Sequence, residues 1–266
     1  MKYLVIKCGG SVLEHLPKSF YQNIVSLQQS GEWMPIIVHG GGPLITSLLK
    51  KMDVETTFVN GLRVTTDEVL DVVEMVLSGS VNKQVVRNLN EAGGTAVGVS
   101  GVDGALLQAV PSEDHQTLGF VGEVVKVNKE LLEGVIHQGY IPVISPVGVG
   151  DKGQRYNING DIAASAIAKA MKANLCFISD IPGILIEKNN VKQRLPKVTK
   201  LKLEAMIEDH TIWGGMIPKA KAAIDGLVHH IPEVGIINGF QENSLLDYVS
   251  GRDIGTKIVL EEVLVK

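Results

Sequence analysis

Six short runs of apolar, β-type residues recur along the chain, at residues 3–7, 35–39, 95–100, 141–146, 175–179 and 235–238. Each is closed by glycine or a small polar residue and leads towards a stretch with helical amphipathic spacing. Most of these runs carry apolar residues continuously instead of alternately, as strands covered on both faces require. Helices are expected near 18–30, 43–52, 67–91, 129–138, 161–172, 200–209, 217–230 and 244–250. This alternation fixes the class as α/β: a three-layer αβα sandwich about a mainly parallel, open central sheet, with ligands at the carboxyl ends of the strands. Residues 105–110 with 122–127, and 184–187 with 191–195 around Lys188-Asn189-Asn190, read as hairpins decorating the loops. No low-complexity or Pro/Gly-rich break interrupts the chain, so residues 1–266 are expected to form a single domain whose two lobes divide near residue 150.

Composition narrows the possible partners. With 25 Lys+Arg against 29 Asp+Glu over 266 residues, and 45% hydrophobic residues, the chain is a well-cored globular protein, not a disordered one. A net charge of −4 and the absence of a dense basic run leave no footprint for nucleic acid. No apolar run approaches the roughly 18 residues of a bilayer span, and the first seven residues are too soon charged for a signal peptide, so a cytoplasmic home without a membrane partner is expected. The two cysteines, Cys8 and Cys176, form neither a CxxC pair nor a metal pattern, and both read as small inert hydrophobes. The seven histidines lack ligand spacing; His229-His230 reads as a helix end.

Two glycine loops carry the chemistry. Lys7-Cys8-Gly9-Gly10-Ser11 follows the first strand and His39-Gly40-Gly41-Gly42-Pro43 the second, each placed ahead of a predicted helix. Successive glycines let backbone N–H groups approach an anion, and a helix N-terminus behind them adds partial positive charge. Two such cradles on neighbouring strands point to phosphate or carboxylate chemistry. GxxxxGK[ST] is absent, and Gly148-Val149-Gly150-Asp151-Lys152-Gly153, although it fits GxGxxG, opens no helix and reads as accidental. Downstream, Asn157-Ile158-Asn159-Gly160-Asp161 precedes an Ala-rich helix, and Asp161 taken alone reads as its N-cap. Trp213-Gly214-Gly215-Met216-Ile217-Pro218-Lys219 puts a lysine in a first helical turn, where the macrodipole disfavours it unless an anion lies nearby.

Together with Asn60-Gly61-Leu62-Arg63-Val64-Thr65 and Asp180-Ile181-Pro182-Gly183-Ile184-Leu185, these motifs resemble, in order and spacing from residue 3 to about 260, the amino acid kinase family. The Gly-Leu-Arg-Val-Thr segment is similar to the branch that acts on N-acetyl-L-glutamate. The resemblance implies the carbamate kinase-like fold and transfer of the γ-phosphoryl group of ATP, with Mg²⁺ carried on the nucleotide, to the side-chain carboxylate of that substrate. It implies that Lys7 and Lys219 contact the transferring phosphoryl group and that Asp161 holds both ammonium groups. Gly9, Gly10, Gly41 and Gly42 would supply backbone donors, and Arg63, Asn157 and Asn159 would face the acylated amino acid. Asp180, Ile181, Pro182, Gly183, Ile184 and Leu185, with Thr211, Ile212 and Trp213, would line the nucleotide pocket. Residues 1–150 would be the acyl-amino-acid and dimerisation lobe and 151–266 the nucleotide lobe. Because Lys7 comes almost at once, no room is left for the N-terminal helix that builds arginine-inhibited hexamers in this family, which implies an arginine-insensitive homodimer with residues 67–89 as the interface helix.

The chemistry suits these residue types. A carboxylate acceptor is already ionised at neutral pH, so no catalytic base is needed, and charge repulsion between two anions is the obstacle. Two alternatives remain open at this level: a kinase of the same scaffold acting on another acylated or carrier-linked amino acid, such as an acetylated aminoadipate, and a non-catalytic amino-acid or nucleotide sensor.

Overall fold

The computed structural model describes residues 1–188, 191–212, 214 and 216–260. All six expected strands are found in one sheet: β1 (Lys2–Cys8), β2 (Trp33–His39), β5 (Ala96–Ser100), β8 (Ile141–Ser145), β11 (Asn174–Ser179) and β15 (Val234–Asn238). Between β2 and β5 lie the two-residue strands β3 (Phe58–Val59) and β4 (Leu62–Arg63), an antiparallel hairpin. The main sheet gains two strands that the apolar pattern does not announce, β14 (Lys197–Thr199) and β16 (Thr256–Val259), for an order of β14-β16-β15-β11-β1-β2-β8-β5. All pairings are parallel except β15 with β16. The added strands are short, and β14 carries only Val198 as a core residue, so neither has enough apolar length to stand out from a loop.

Alternate residues of the central strands feed two separate cores. Val5, Ile36 and Val38 pack on one face of the sheet, and Leu4, Ile6 and Ile37 on the other, all at most 1% exposed. Both faces being dry explains the unbroken apolar runs, and each such side chain contributes about 1.5–3 kcal/mol of burial. The helices close the layers: α2 (Lys18–Gln29), α3 (Gly42–Lys51), α4 (Asp67–Glu74), α5 (Asn82–Glu91), α7 (Lys129–His137), α8 (Gly160–Met171), α9 (Lys200–Glu208), α10 (Met216–Val228) and α11 (Ser244–Val249) all fall on expected segments. Two details differ. The first glycine loop opens into a single turn, α1 (Gly10–Leu13), and the long segment 67–91 is broken by a π-helical stretch, Met75–Val81, between α4 and α5.

Of the two expected hairpins, β12 (Leu185–Lys188) with β13 (Val191–Arg194) stands alone, its tip residues 189–190 lying outside the described residues. The other, β6 (Leu107–Pro111) with β7 (Val121–Val127), joins β9 (Val147–Val149) and β10 (Arg155–Ile158) in a small closed barrel beside the helix α6 (His115–Leu118). The GxGxxG look-alike is the turn from β9 to β10, where Gly150 leaves room for the Tyr156 ring: a Cβ would meet Tyr156 Cε2 at 2.7 Å. Gly148 and Gly150 serve packing, and Gly153, at φ 80°, serves the turn.

Candidate active site

The carboxyl ends of β1 and β2 bring the two glycine loops into contact. A Cβ placed on Gly10 would lie 2.9 Å from Gly41 Cα and N and from Gly42 N, so the loops touch backbone to backbone. Gly41 in turn sits against Leu77 Cδ2, where a Cβ would come within 2.8 Å. The edge of this double loop is where Lys7, the penultimate residue of β1, meets the start of α8. Lys7 Nζ lies 2.6 Å from Asp161 Oδ1, with both side chains at most 8% exposed, and Lys219 Nζ approaches Oδ2 of the same carboxylate at 3.9 Å. Asp161 is not the helix N-cap expected of it. Asn159 caps α8, its Oδ1 accepting from the N–H groups of Asp161 and Ile162 at 2.8 and 3.3 Å, and this leaves the aspartate side chain for the two lysines. Gly160 keeps the approach open, since a Cβ there would lie 3.3 Å from Lys7 Cε.

Lys219 stands in the first turn of α10, and Asp161 is the anion that its position against the macrodipole calls for. Burial pulls its ammonium below the usual lysine range; Asp161 opposes this, Lys7 adds to it, and Asp180 opposes it again. Lys7 and Lys219 thus share one carboxylate, with the Asp180 charge also acting on Lys219.

Beside Lys219 opens a cavity of about 1000 Å³, lined by Gly9, Asp180, Ile181, Ile184, Leu185, Thr211 and Ile212 from the expected set. Its walls mix apolar side chains with charged groups, a lining that suits a nucleotide. Pro182 and Gly183 stand back from it: Gly183, at φ 136°, lies so close to Thr256 that a Cβ would meet its Oγ1 at 2.5 Å, and the same hydroxyl accepts the Ile184 N–H. Trp213 lies outside the described residues. Lining residues that the motifs missed include Lys202, Met206 and Asp209. Their spacing of four and three along α9 and its C-cap puts them on one face, a signal visible in sequence but indistinguishable from an ordinary amphipathic helix.

On the other side of the glycine loops, Arg63 is 7% exposed, and burial draws its guanidinium below the usual arginine range. It donates to Thr56 Oγ1 at 2.6 Å, to Thr46 Oγ1 at 2.8 Å and to the Gly42 carbonyl at 3.2 Å, and stacks on the Phe58 ring at 4.6 Å. Arg63 and Asn157 are joined through Thr65, fully buried, whose hydroxyl accepts from Asn157 Nδ2 and donates to the Arg63 carbonyl. Thr65 belongs to the Arg63 motif but carried no role in the sequence. Cys8 and Cys176 are buried as expected, and burial pushes the Cys8 thiol up to about 12, against the opposing pull of Lys7.

A mainly parallel sheet with paired glycine loops at its carboxyl edge belongs to one class, the kinases of small acids, and the comparisons agree on it. The profile of the amino acid kinase family matches residues 2–238, and the chain belongs to that family. The acetylglutamate kinase of Oceanobacillus iheyensis is 45% identical over 263 residues, 99% of each chain. Among solved structures, the Streptococcus mutans protein smu.665 superposes with a TM-score of 0.85 at 29% identity, covering 97% of this chain and 99% of that one. The carbamate kinase of Giardia lamblia bound to AMP-PNP shares the fold, with a TM-score of 0.72 at 15% identity over 98% of this chain and 99% of its own.

Proposed function

We propose that the protein transfers the γ-phosphoryl group of ATP to the side-chain carboxylate of N-acetyl-L-glutamate, giving N-acetyl-L-glutamyl 5-phosphate and ADP, the second step of arginine biosynthesis by the acetylated route. The observation that carries this reading is the buried carboxylate of Asp161 shared by Lys7 and Lys219, at the joint between the glycine loops and the cavity. Phosphoryl transfer to an anionic acceptor passes through a loose transition state, so positioning and cationic stabilisation do the catalysis. The two ammonium groups face the phosphoryl group as it moves. Asp161 holds the two ammonium groups in place, and the N–H groups of Gly10, Gly41 and Gly42 point donors at the equatorial oxygens. An acyl phosphate forms as the carboxylate oxygen bonds phosphorus and the bond to the ADP β,γ-bridging oxygen breaks; no proton need leave the acceptor.

Arg63 is suited to the α-carboxylate, because its planar fork matches two oxygens, with Asn157 and Asn159 facing the acetamido group. Residues 1–150 would thus hold the acyl amino acid and 151–266 the nucleotide. Asp180, Ile181, Ile184, Leu185, Thr211 and Ile212 would surround the base and ribose. Mg²⁺ would ride on the phosphates of ATP; among the described residues no three of His, Cys, Asp and Glu gather into a metal cage. The working form is a cytoplasmic homodimer joined through the helical segment 67–89. Incubation with MgATP and acyl amino acids in hydroxylamine tests the reading. Hydroxamate should form with N-acetyl-L-glutamate and far less with acetylaminoadipate or free glutamate; nucleotide binding without hydroxamate would replace the kinase with a sensor.

A further inference from the structure

Behind the second glycine loop a polar chain that none of the proposed roles uses runs inward from the exposed Lys83 to the buried Asn82 and His39. Lys83 Nζ donates to Asn82 Oδ1 at 3.0 Å and to the Gly98 carbonyl at 3.0 Å. An ammonium only donates, so the Asn82 atom it meets is the oxygen, and Asn82 Nδ2 faces the Val143 carbonyl at 2.9 Å and His39 Nε2 at 3.2 Å. His39 Nε2 must then accept, which leaves its proton on Nδ1, 3.1 Å from the Gly40 carbonyl. His39 and Asn82 are both fully buried, and burial with the nearby Lys7 and Lys83 charges keeps the ring neutral. The place is built for this chain. A Cβ on Gly98 would fall 1.8 Å from Asn82 Oδ1, and the π-helical stretch Met75–Val81 delivers Asn82 directly after Leu77 and Val81 have packed on Gly41.

The Gly40 carbonyl and the Gly41 N–H belong to one planar trans peptide and point to opposite sides of it. From this we infer that His39 and Asn82 are positioning residues: by holding the Gly40 oxygen inward they aim the Gly41 N–H at the transferring phosphoryl group. The inference rests on the reading of the Gly40-Gly41-Gly42 loop as a phosphoryl cradle. It predicts that a donor at the Nδ1 position matters and a link at Nε2 alone does not suffice. Asparagine at position 39 can donate from about where Nδ1 sits, whereas glutamine reaches only the Nε2 position.

The test pairs a ring readout with kinetics on the full-length enzyme. In ¹⁵N-labelled protein, with the His39 signal identified by its loss in His39→Asn, the ring should be the neutral Nδ1–H tautomer at pH 7, with an unprotonated Nε2. An Nε2–H tautomer or an imidazolium there overturns the inference, and the same signal is identified by its loss in His39→Gln, so the readout does not hang on one variant folding. His39→Gln should lower kcat about 10- to 100-fold with KM for MgATP changed less than about threefold, and His39→Asn should recover most of that loss. Equal turnover in His39→Gln and the unmodified enzyme, or no recovery in His39→Asn, refutes the positioning role. Near-normal turnover in Gly10→Ala, whose methyl must part the two loops, would instead refute the cradle reading beneath it, whatever the His39 variants do.

Discussion

Gly10 and Gly41 meet backbone to backbone, with no space for a single methyl group: a Cβ on Gly10 would stand 2.9 Å from Gly41 Cα. The obstacle is main chain on all sides, so no side chain can swing away to admit one. Gly10→Ala must therefore push the loops apart, and a shift of a fraction of an ångström in the donors is expected to lower kcat by about 10²-fold. The accompanying overpacking should cost about 1–3 kcal/mol of stability. Gly134→Ala, in α7 with nothing within 4 Å of the added methyl, should raise stability by about 0.5–1 kcal/mol. Steady-state kinetics and thermal melts on both variants check the contrast.

Removing either ammonium should cost catalysis more than binding. Lys7→Ala and Lys219→Ala are expected to lower kcat by about 10²–10³-fold with smaller changes in either KM, the loss associated with one transition-state donor. If both variants turn over near normally, the lysine–aspartate–lysine cluster is structural.

The same cluster sets a pH dependence. Lys219 is held below the usual lysine range by burial, and Asp161 is the main group opposing that shift. As pH rises through its pKa the ammonium loses its charge, so kcat/KM should fall on an alkaline limb that lies lower than a free lysine would give. Asp161→Asn removes the opposing charge and should move that limb to lower pH, in addition to reducing the plateau. An unmoved limb would assign it to another group.

Much of this was legible in the chain, and the boundary of legibility has physical causes. The strands β1, β2, β8 and β11 announce themselves because both faces are dry and their central residues are apolar without alternation. The barrel of β6, β7, β9 and β10 does not, because its burial is mixed and β9 is three residues long. Lys7 and Lys219 stood out through their loops. Asp161, by contrast, looked like a cap, since Asn159 and Asp161 are equally good capping types and only geometry shows which one turns back on the helix. Thr65, His39 and Asn82 act through bonds spanning 43 to 92 residues of sequence. No local pattern encodes partners so distant.

Arg63 shows how a site residue is fixed before its ligand arrives. Its bonds to Thr56, Thr46 and Gly42 use one Nη1 hydrogen and both Nη2 hydrogens of the fork, leaving Nε–H and one Nη1–H for the carboxylate it is proposed to meet. Lysine offers a single point charge without that fork. Arg63→Lys should therefore raise KM for N-acetyl-L-glutamate about tenfold or more while KM for ATP moves little. Equal rises in the two constants would place Arg63 outside the acyl-amino-acid subsite.

His39 gives a stability prediction separate from turnover. Burial, only partly offset by its bond to the Gly40 carbonyl, lowers its pKa from 6.5 to about 4. Between those values the unfolded chain holds a proton that the folded protein does not. Stability from the neutral ring is thus complete above about pH 6.5, falls as pH drops through that window, and is lost below about 4. Carried through the window, the loss is of the order of 3 kcal/mol. His39→Asn has no ring to protonate, so its unfolding free energy should fall less steeply than that of the unmodified protein between pH 6.5 and 4, by about one proton in the linkage slope. Denaturant melts at half-unit intervals measure this difference directly, because the carboxylates that also titrate there are common to both proteins. Parallel slopes would mean that His39 takes up its proton in the folded state, and the neutral ring on which the Gly40 bond depends would be lost with it.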